Sequence, residues 1–254
     1  MNPYGTAMSK QDAYRNLVAQ RKACRRCAPN GYKNQEELGF DTEEIGNLST
    51  WANDLDADIL LVAQDFSNQE IYLRDQGLIE PVAITEHSKP RAYSTATNYY
   101  LRELTKLIGR DIGLPTANTG KGIFITNAVL CMKSGAMNAA NPSGVIAQCG
   151  EHFLKPLIEL IKPKAIVSLG AVPTWSVLKA FESESPELAA LGGSAFDAIF
   201  RNGPFVLGQS RIRAFPMFHP GLLGQSQRKR AEPGGGNGWD LMQADWLRMS
   251  SQLR

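Results

Sequence analysis

Four short apolar runs, each bounded by turn residues and separated by stretches of helical periodicity, most constrain what this 254-residue chain folds into. They are DILLVAQ (58–64), GIFITNAVL (122–130), AIVSLG (165–170) and RIRAFPMFHP (211–220). Each is short and rich in Ile, Val, Leu or Phe, as expected of strands buried on both faces. Between them, TNYYLRELTKLIG (97–109) and SGVIAQCGEHFLKPLIELI (143–161) carry apolar residues at helical spacing, with Ser143 placed to cap the second. One helix is expected before the first strand, in KQDAYRNLVAQRKA (10–23), and one after the last, in GWDLMQADWLRMSSQL (238–253). Strands alternating with helices predict an α/β fold, a three-layer α/β/α sandwich around a central four-stranded, mainly parallel sheet. Residues 183–210 read as an insertion and AEPGGGNG (231–238) as a surface turn, so 1–254 is expected to form a single domain.

Hydrophobic residues make up 43% of the chain, ample for a buried core at this length. No stretch approaches the roughly 20 apolar residues of a membrane span, and the opening MNPYGTAMSKQDAYRN lacks the apolar region of a signal peptide. A cytoplasmic, monomeric protein without a membrane partner is expected. Lys and Arg number 27 against 25 Asp and Glu, a formal charge of +2 that does not by itself mark a nucleic-acid partner. A local basic patch carries more weight than this total.

In an open α/β sheet, ligands sit in the crevice at the carboxyl ends of the strands. The first apolar run stops there at Gln64-Asp65, followed by Phe66, Ser67 and Asn68. Asp65 is therefore either a functional carboxylate or the cap of a following helix.

Four cysteines form a second constellation. Cys24 and Cys27 make the pair CRRC after the first helix, Cys131 follows the second strand, and Cys149 lies in the helix beyond it. Without a secretion signal, disulfides are disfavoured. Four thiolates hold either zinc or an iron-sulfur cluster, and the sequence pattern leaves both open, with unpaired structural cysteines as the remaining alternative.

Taken in order, CRRC, ITNAVLC, the helical cysteine, IVSLGAVPTWSVL and FHPGLL resemble the uracil-DNA glycosylase superfamily, most closely its iron-sulfur branch, family four. The resemblance implies a 4Fe-4S cluster on Cys24, Cys27, Cys131 and Cys149, with a structural role. The loop AQDFSN departs from that branch's Gly-Glu-Ala-Pro-Gly and is similar to the Gln-Asp-Pro-Tyr-His loop of the best-known uracil glycosylases. It keeps the aspartate as Asp65, while Ala63, Phe66 and Ser67 are altered and Asn68 stands in place of the histidine.

The implied chemistry is hydrolysis of the N-glycosidic bond of uracil or another modified pyrimidine in DNA, leaving an abasic site. A carboxylate near the sugar positions water and stabilises positive charge on the ring, which suits Asp65. A donor aimed at the departing base's carbonyl lowers the barrier, and His219 of FHPG resembles the family's histidine in that role. Asn127 and Tyr93 are assigned to reading and stacking the extruded base, with Gln64 and Ser67 beside them. Leu222 and Leu223 are expected to fill the gap left by the flipped nucleotide, and Arg228, Lys229 and Arg230 to hold flanking phosphates. Each has a plainer alternative: a packed histidine, a turn asparagine, a core tyrosine, buried leucines and a solvated basic face.

No catalytic lysine is implied, so the expected enzyme is monofunctional, and DNA is its partner. Ser67 replaces the tyrosine that crowds the pyrimidine C5 edge in the resembling loop. The pocket is thus expected to admit C5-modified bases, including the glucosylated hydroxymethylcytosine that some bacterial relatives remove from phage DNA. Uracil ranks first, modified cytosine in phage defence second. A non-catalytic nucleic-acid-binding protein that retains the fold is the reading from a different class.

Overall fold

Successive side chains of a strand point to opposite faces of its sheet, and here both faces are covered. Leu60, Val62, Phe124 and Ile166 enter one apolar cluster, while Ile59, Leu61, Ile123, Ile125 and Val167 enter another on the opposite side. The computed structural model describes residues 8–39, 54–66, 68–69, 93–112, 120–136, 138–184, 186–191 and 194–253.

Among the described residues the sheet has five strands: β1 (Ile59–Ala63), β2 (Ile123–Asn127), β3 (Ala165–Leu169), β4 (Phe205–Leu207) and β5 (Ile212–Met217). Their order is β2-β1-β3-β5-β4, with all pairings parallel except β4 against β5. Four parallel strands are as expected; β4 is the addition. It lies inside the segment read as an insertion, which is instead partly framework: Ile199 and Leu207 are fully buried in the first apolar cluster. At three residues, with Val206 43% exposed on the edge, β4 is too short to show a periodicity.

Helix α1 (Lys10–Ala23) begins where Ser9 accepts a bond from the Asp12 N–H, and it packs Tyr14, Leu17 and Val18 into the first cluster. Helix α2 (Tyr93–Leu107) buries Leu101 and Leu104 in the second cluster. The single helix expected over 143–161 is two, α3 (Ser143–Cys149) and α4 (Lys155–Ile161), joined by a π-helical turn at Gly150–Leu154. Pro156 accounts for the interruption: it has no N–H to return to the carbonyl four residues earlier, and its ring crowds that carbonyl. Helix α5 (Ala171–Ala180) follows β3, and short helices α6 (Pro186–Ala189) and α7 (Phe196–Asn202) precede β4. After β5 come α8 (Leu222–Ala231) and α9 (Gly238–Ser251), the latter capped by Asn237 at the end of the glycine-rich turn. No helix among the described residues is long and apolar enough to cross a membrane.

Candidate active site

Parallel strands bring their carboxyl ends to one edge. Ala63 pairs in register with Asn127, and Leu169 with Met217. Pairing of the first two strands runs on past their ends, through Ala128 N–H to the Ala63 carbonyl and Val129 N–H to the Gln64 carbonyl. Asp65, Asn127 and His219 therefore leave the same edge within two residues of a strand end.

Asp65 is nine-tenths buried at its side chain and lies in a nest of donors. Its Oδ2 accepts from Lys133 Nζ at 3.0 Å, from Asn141 Nδ2 at 2.7 Å and from Gln64 Nε2 at 3.1 Å. Gln64, assigned by sequence to the base, thus binds the neighbouring carboxylate. Lys133 also donates to the Ala139 carbonyl at 2.8 Å. Neither Lys133 nor Asn141 stood out in the sequence, because a lone lysine or asparagine in a loop reads as solvated.

His219 follows β5 and is partly buried. The Gly221 N–H donates to its Nδ1 at 3.1 Å, which places the neutral ring's proton on Nε2. Burial pushes its pKa below the ordinary 6.5, and the Asp65 charge opposes that shift only partly. Two glycines let the loop close this tightly. A Cβ on Gly221 would stand 3.1 Å from Nδ1 of His219, and one on Gly224 only 1.9 Å from the His219 carbonyl oxygen.

Asn127 is 1% exposed, and among the described residues neither its Nδ2 nor its Oδ1 has a hydrogen-bond partner. Buried amides are ordinarily satisfied, so each orphaned group costs about 1–3 kcal/mol until something pairs with it. Ser67 lies outside the described residues, and Tyr93 is placed only as the first residue of α2.

Directly beyond His219, Leu222 and Leu223 are 46% and 64% exposed at the start of α8. Lys229 and Arg230 are also exposed. Arg228 is not, which corrects its assignment to phosphate contact. It is 3% exposed, with Nε and Nη2 donating to the Asp245 carboxylate at 2.6 and 3.1 Å, Nη2 also reaching Glu232, and the rings of Phe200 and Phe218 below. A cation fully engaged in this way ties α8 to α9 and is withheld from DNA.

The four cysteines, from three separate stretches of the sequence, line one small cavity together with Arg21, Arg26 and Phe153. Among the described residues, no three His, Cys, Asp or Glu side chains stand at the spacing of a single bound ion. Cys27 is lowered to about 7 by a hydrogen bond from Cys149 and by the Arg26 charge, against burial. Burial pushes Cys131 up to about 12, while the bond it gives to Cys27, followed by burial, pushes Cys149 up as well. Tyr32, packed beside Cys27 and Cys131, is raised to about 12 by burial and by the Asp65 charge.

A parallel sheet whose carboxyl edge presents a buried carboxylate, an unpartnered amide and a neutral imidazole defines an α/β protein with a polar ligand crevice at its strand ends. The chain belongs to the uracil DNA glycosylase superfamily, whose family model matches residues 79–234. That span holds Asn127, Cys131, Cys149 and His219, while Cys24, Cys27 and Asp65 precede it. Members of the superfamily are DNA glycosylases, hydrolases that act on DNA. No curated protein matches the sequence.

Proposed function

We propose that the protein is a monofunctional DNA glycosylase that hydrolyses the N-glycosidic bond of uracil, or of another modified pyrimidine, in DNA. The observation that carries this reading is Asn127, a fully buried amide whose donor and acceptor are both unpartnered among the described residues. A pyrimidine edge offers the complementary acceptor and donor side by side. Because the glycosidic carbon is inaccessible inside a duplex, the base must be flipped out to reach this amide.

The neutral His219 carries its proton on Nε2 and donates to a carbonyl oxygen of the departing base, where negative charge develops. Asp65 holds water against the sugar and stabilises the positive charge left there. Lys133 is no nucleophile in this arrangement: its ammonium donates to a carboxylate and a carbonyl, so water attacks the sugar carbon and no imine forms. Leu222 and Leu223 fill the gap in the stack, and Lys229 and Arg230 hold flanking phosphates. Ser67 and Tyr93 keep their sequence-based assignment to the base.

The cysteine nest fits a 4Fe-4S cluster in its donor chemistry. Four thiols converge on one cavity, and Arg21 and Arg26 beside it offset the negative charge of four thiolates. Cys24, Cys27, Cys131 and Cys149 would hold the cluster, which when bound would brace α1 and the CRRC turn against the sheet. Zinc on the same thiolates is the alternative metal.

The same amide favours a second substrate. With no partner to fix which way it faces, Asn127 presents either order of donor and acceptor, and so matches the edge of cytosine as well as of uracil. Modified cytosine, including the glucosylated hydroxymethyl form in a phage-defence setting, is the competing substrate. Parallel assays of abasic-site formation on DNA containing uracil, thymine mismatches, hydroxymethylcytosine or its glucosylated form test both readings. Release of uracil alone rejects the second, and release of none rejects the first.

A further inference from the structure

The carboxylate of Asp65 is held by a block of structure that also carries the cysteine nest. Lys133 and Asn141, its two distant donors, both lie on the segment between Cys131 and Cys149. That segment is pinned on two sides. On one, Tyr32 Oη donates to Asn141 Oδ1 at 2.7 Å, and the Lys33 and Met132 backbones exchange hydrogen bonds at 3.0 and 2.8 Å. On the other, the chain just beyond Asp65 is tied back to it: Asn68 Nδ2 donates to the Gly135 carbonyl at 2.6 Å, and Gln69 N–H to the Lys133 carbonyl at 2.9 Å. Lys133, Asn141, Tyr32 and Asn68 are all more than nine-tenths buried.

Burying a lysine and an aspartate costs several kcal/mol per ion unless the geometry is good and the remaining groups are bonded. Here Lys133 has a carbonyl as its second acceptor, and Asn141 is itself oriented by Tyr32. An asparagine receiving a bond on Oδ1 has its Nδ2 aimed without ambiguity, in contrast to the unfixed amide of Asn127. The result is a chain of bonds, Tyr32 to Asn141 to Asp65, with Lys133 closing the carboxylate from a second direction.

We propose that Tyr32, Asn141 and Lys133 are positioning residues for the reaction, a relay that fixes the Asp65 carboxylate and links its orientation to the fold of the cysteine nest. The proposal rests on the reading of Asp65 as the group that acts at the sugar. None of the three need touch the base. Their effect is on where the carboxylate oxygens lie, and a misplacement of about 1 Å costs on the order of a hundredfold in rate.

The test is a set of double-mutant cycles on the full, metal-loaded protein, read by single-turnover excision, by affinity for DNA carrying an abasic-site analogue, and by iron content. Lys133→Met and Asn141→Leu should each slow excision roughly tenfold or more, the loss expected for a hydrogen bond to a charged group. Tyr32→Phe, which removes only the hydroxyl, should slow it severalfold, and affinity and iron content should hold. In an Asp65→Asn background each should add less than about twofold, since residues that act through one another are non-additive. Losses that multiply in that background, or single variants within twofold of the parent, would overturn the relay. If Lys133→Met fails to fold, Tyr32→Phe decides the matter alone. An Asp65→Asn protein with undiminished excision would instead overturn the underlying role of Asp65.

Discussion

The backbone N–H of Gly221 donates to Nδ1 of His219 at 3.1 Å, and this single bond decides which nitrogen of the ring carries the proton. An imidazole that accepts on Nδ1 is neutral and offers Nε2–H. Burial reinforces the neutral form by pushing the pKa below 6.5. The unfolded chain takes up this proton near 6.5, the folded chain only at lower pH, so between those values the unfolded state binds more protons. Stability from His219 is therefore complete above pH 6.5 and declines as pH falls below it. Melting midpoints between pH 7.5 and 5.5 should fall less steeply for His219→Asn than for the parent, and identical slopes would refute the buried neutral ring.

Lys133 provides a check on the reaction class. With its Nζ engaged by Asp65 and the Ala139 carbonyl, it is not free to attack the sugar aldehyde. Borohydride added during turnover, or with preformed abasic DNA, should trap no protein-DNA adduct, and the abasic strand should remain uncut. A trapped adduct lost in Lys133→Met would make the enzyme bifunctional.

The helix after His219 separates structural from DNA-contacting residues. Lys229→Ala with Arg230→Ala should reduce the slope of binding against log salt by about two, and Leu222→Ala with Leu223→Ala should impair excision from duplex more than from single-stranded DNA. Arg228→Ala should instead lower stability by about 3–5 kcal/mol, because it strands Asp245 without its buried partner. Denaturant melts and salt titrations of the three variants separate these effects; a normal salt slope in the Lys229/Arg230 variant would return those residues to an ordinary solvated face.

Iron and acid-labile sulfide should accompany anaerobically purified protein, which should be brown, and replacement of any one of the four cysteines should lower the iron content. Stoichiometric zinc with neither iron nor sulfide would contradict the cluster.

The parallel strands could be read from the sequence because burial on both faces leaves unbroken apolar runs. A three-residue edge strand with Val206 half in solvent leaves no such mark. Strand-end position singled out Asp65, the resemblance to the family added Asn127 and His219, and the structure places all three at one edge. The partners of Asp65 carried no local signal, since Lys133 and Asn141 lie 68 and 76 residues away along the chain. The basic run misled for a geometric reason. Successive helical residues are about 100° apart, so of Arg228, Lys229 and Arg230 only the first turns inward to Asp245.

Base excision at this edge stands or falls with Asn127. Single-turnover release of uracil should be followed for the parent, Asn127→Ala and Asp65→Asn, each at saturating enzyme, with the abasic product quantified. Abasic-site formation by the parent is expected, with losses of roughly a hundredfold or more in both variants and DNA affinity largely retained. If uracil and the modified cytosines all remain in the DNA with the parent protein, or if excision proceeds unchanged without Asn127, the edge of this sheet is not a base-excision site.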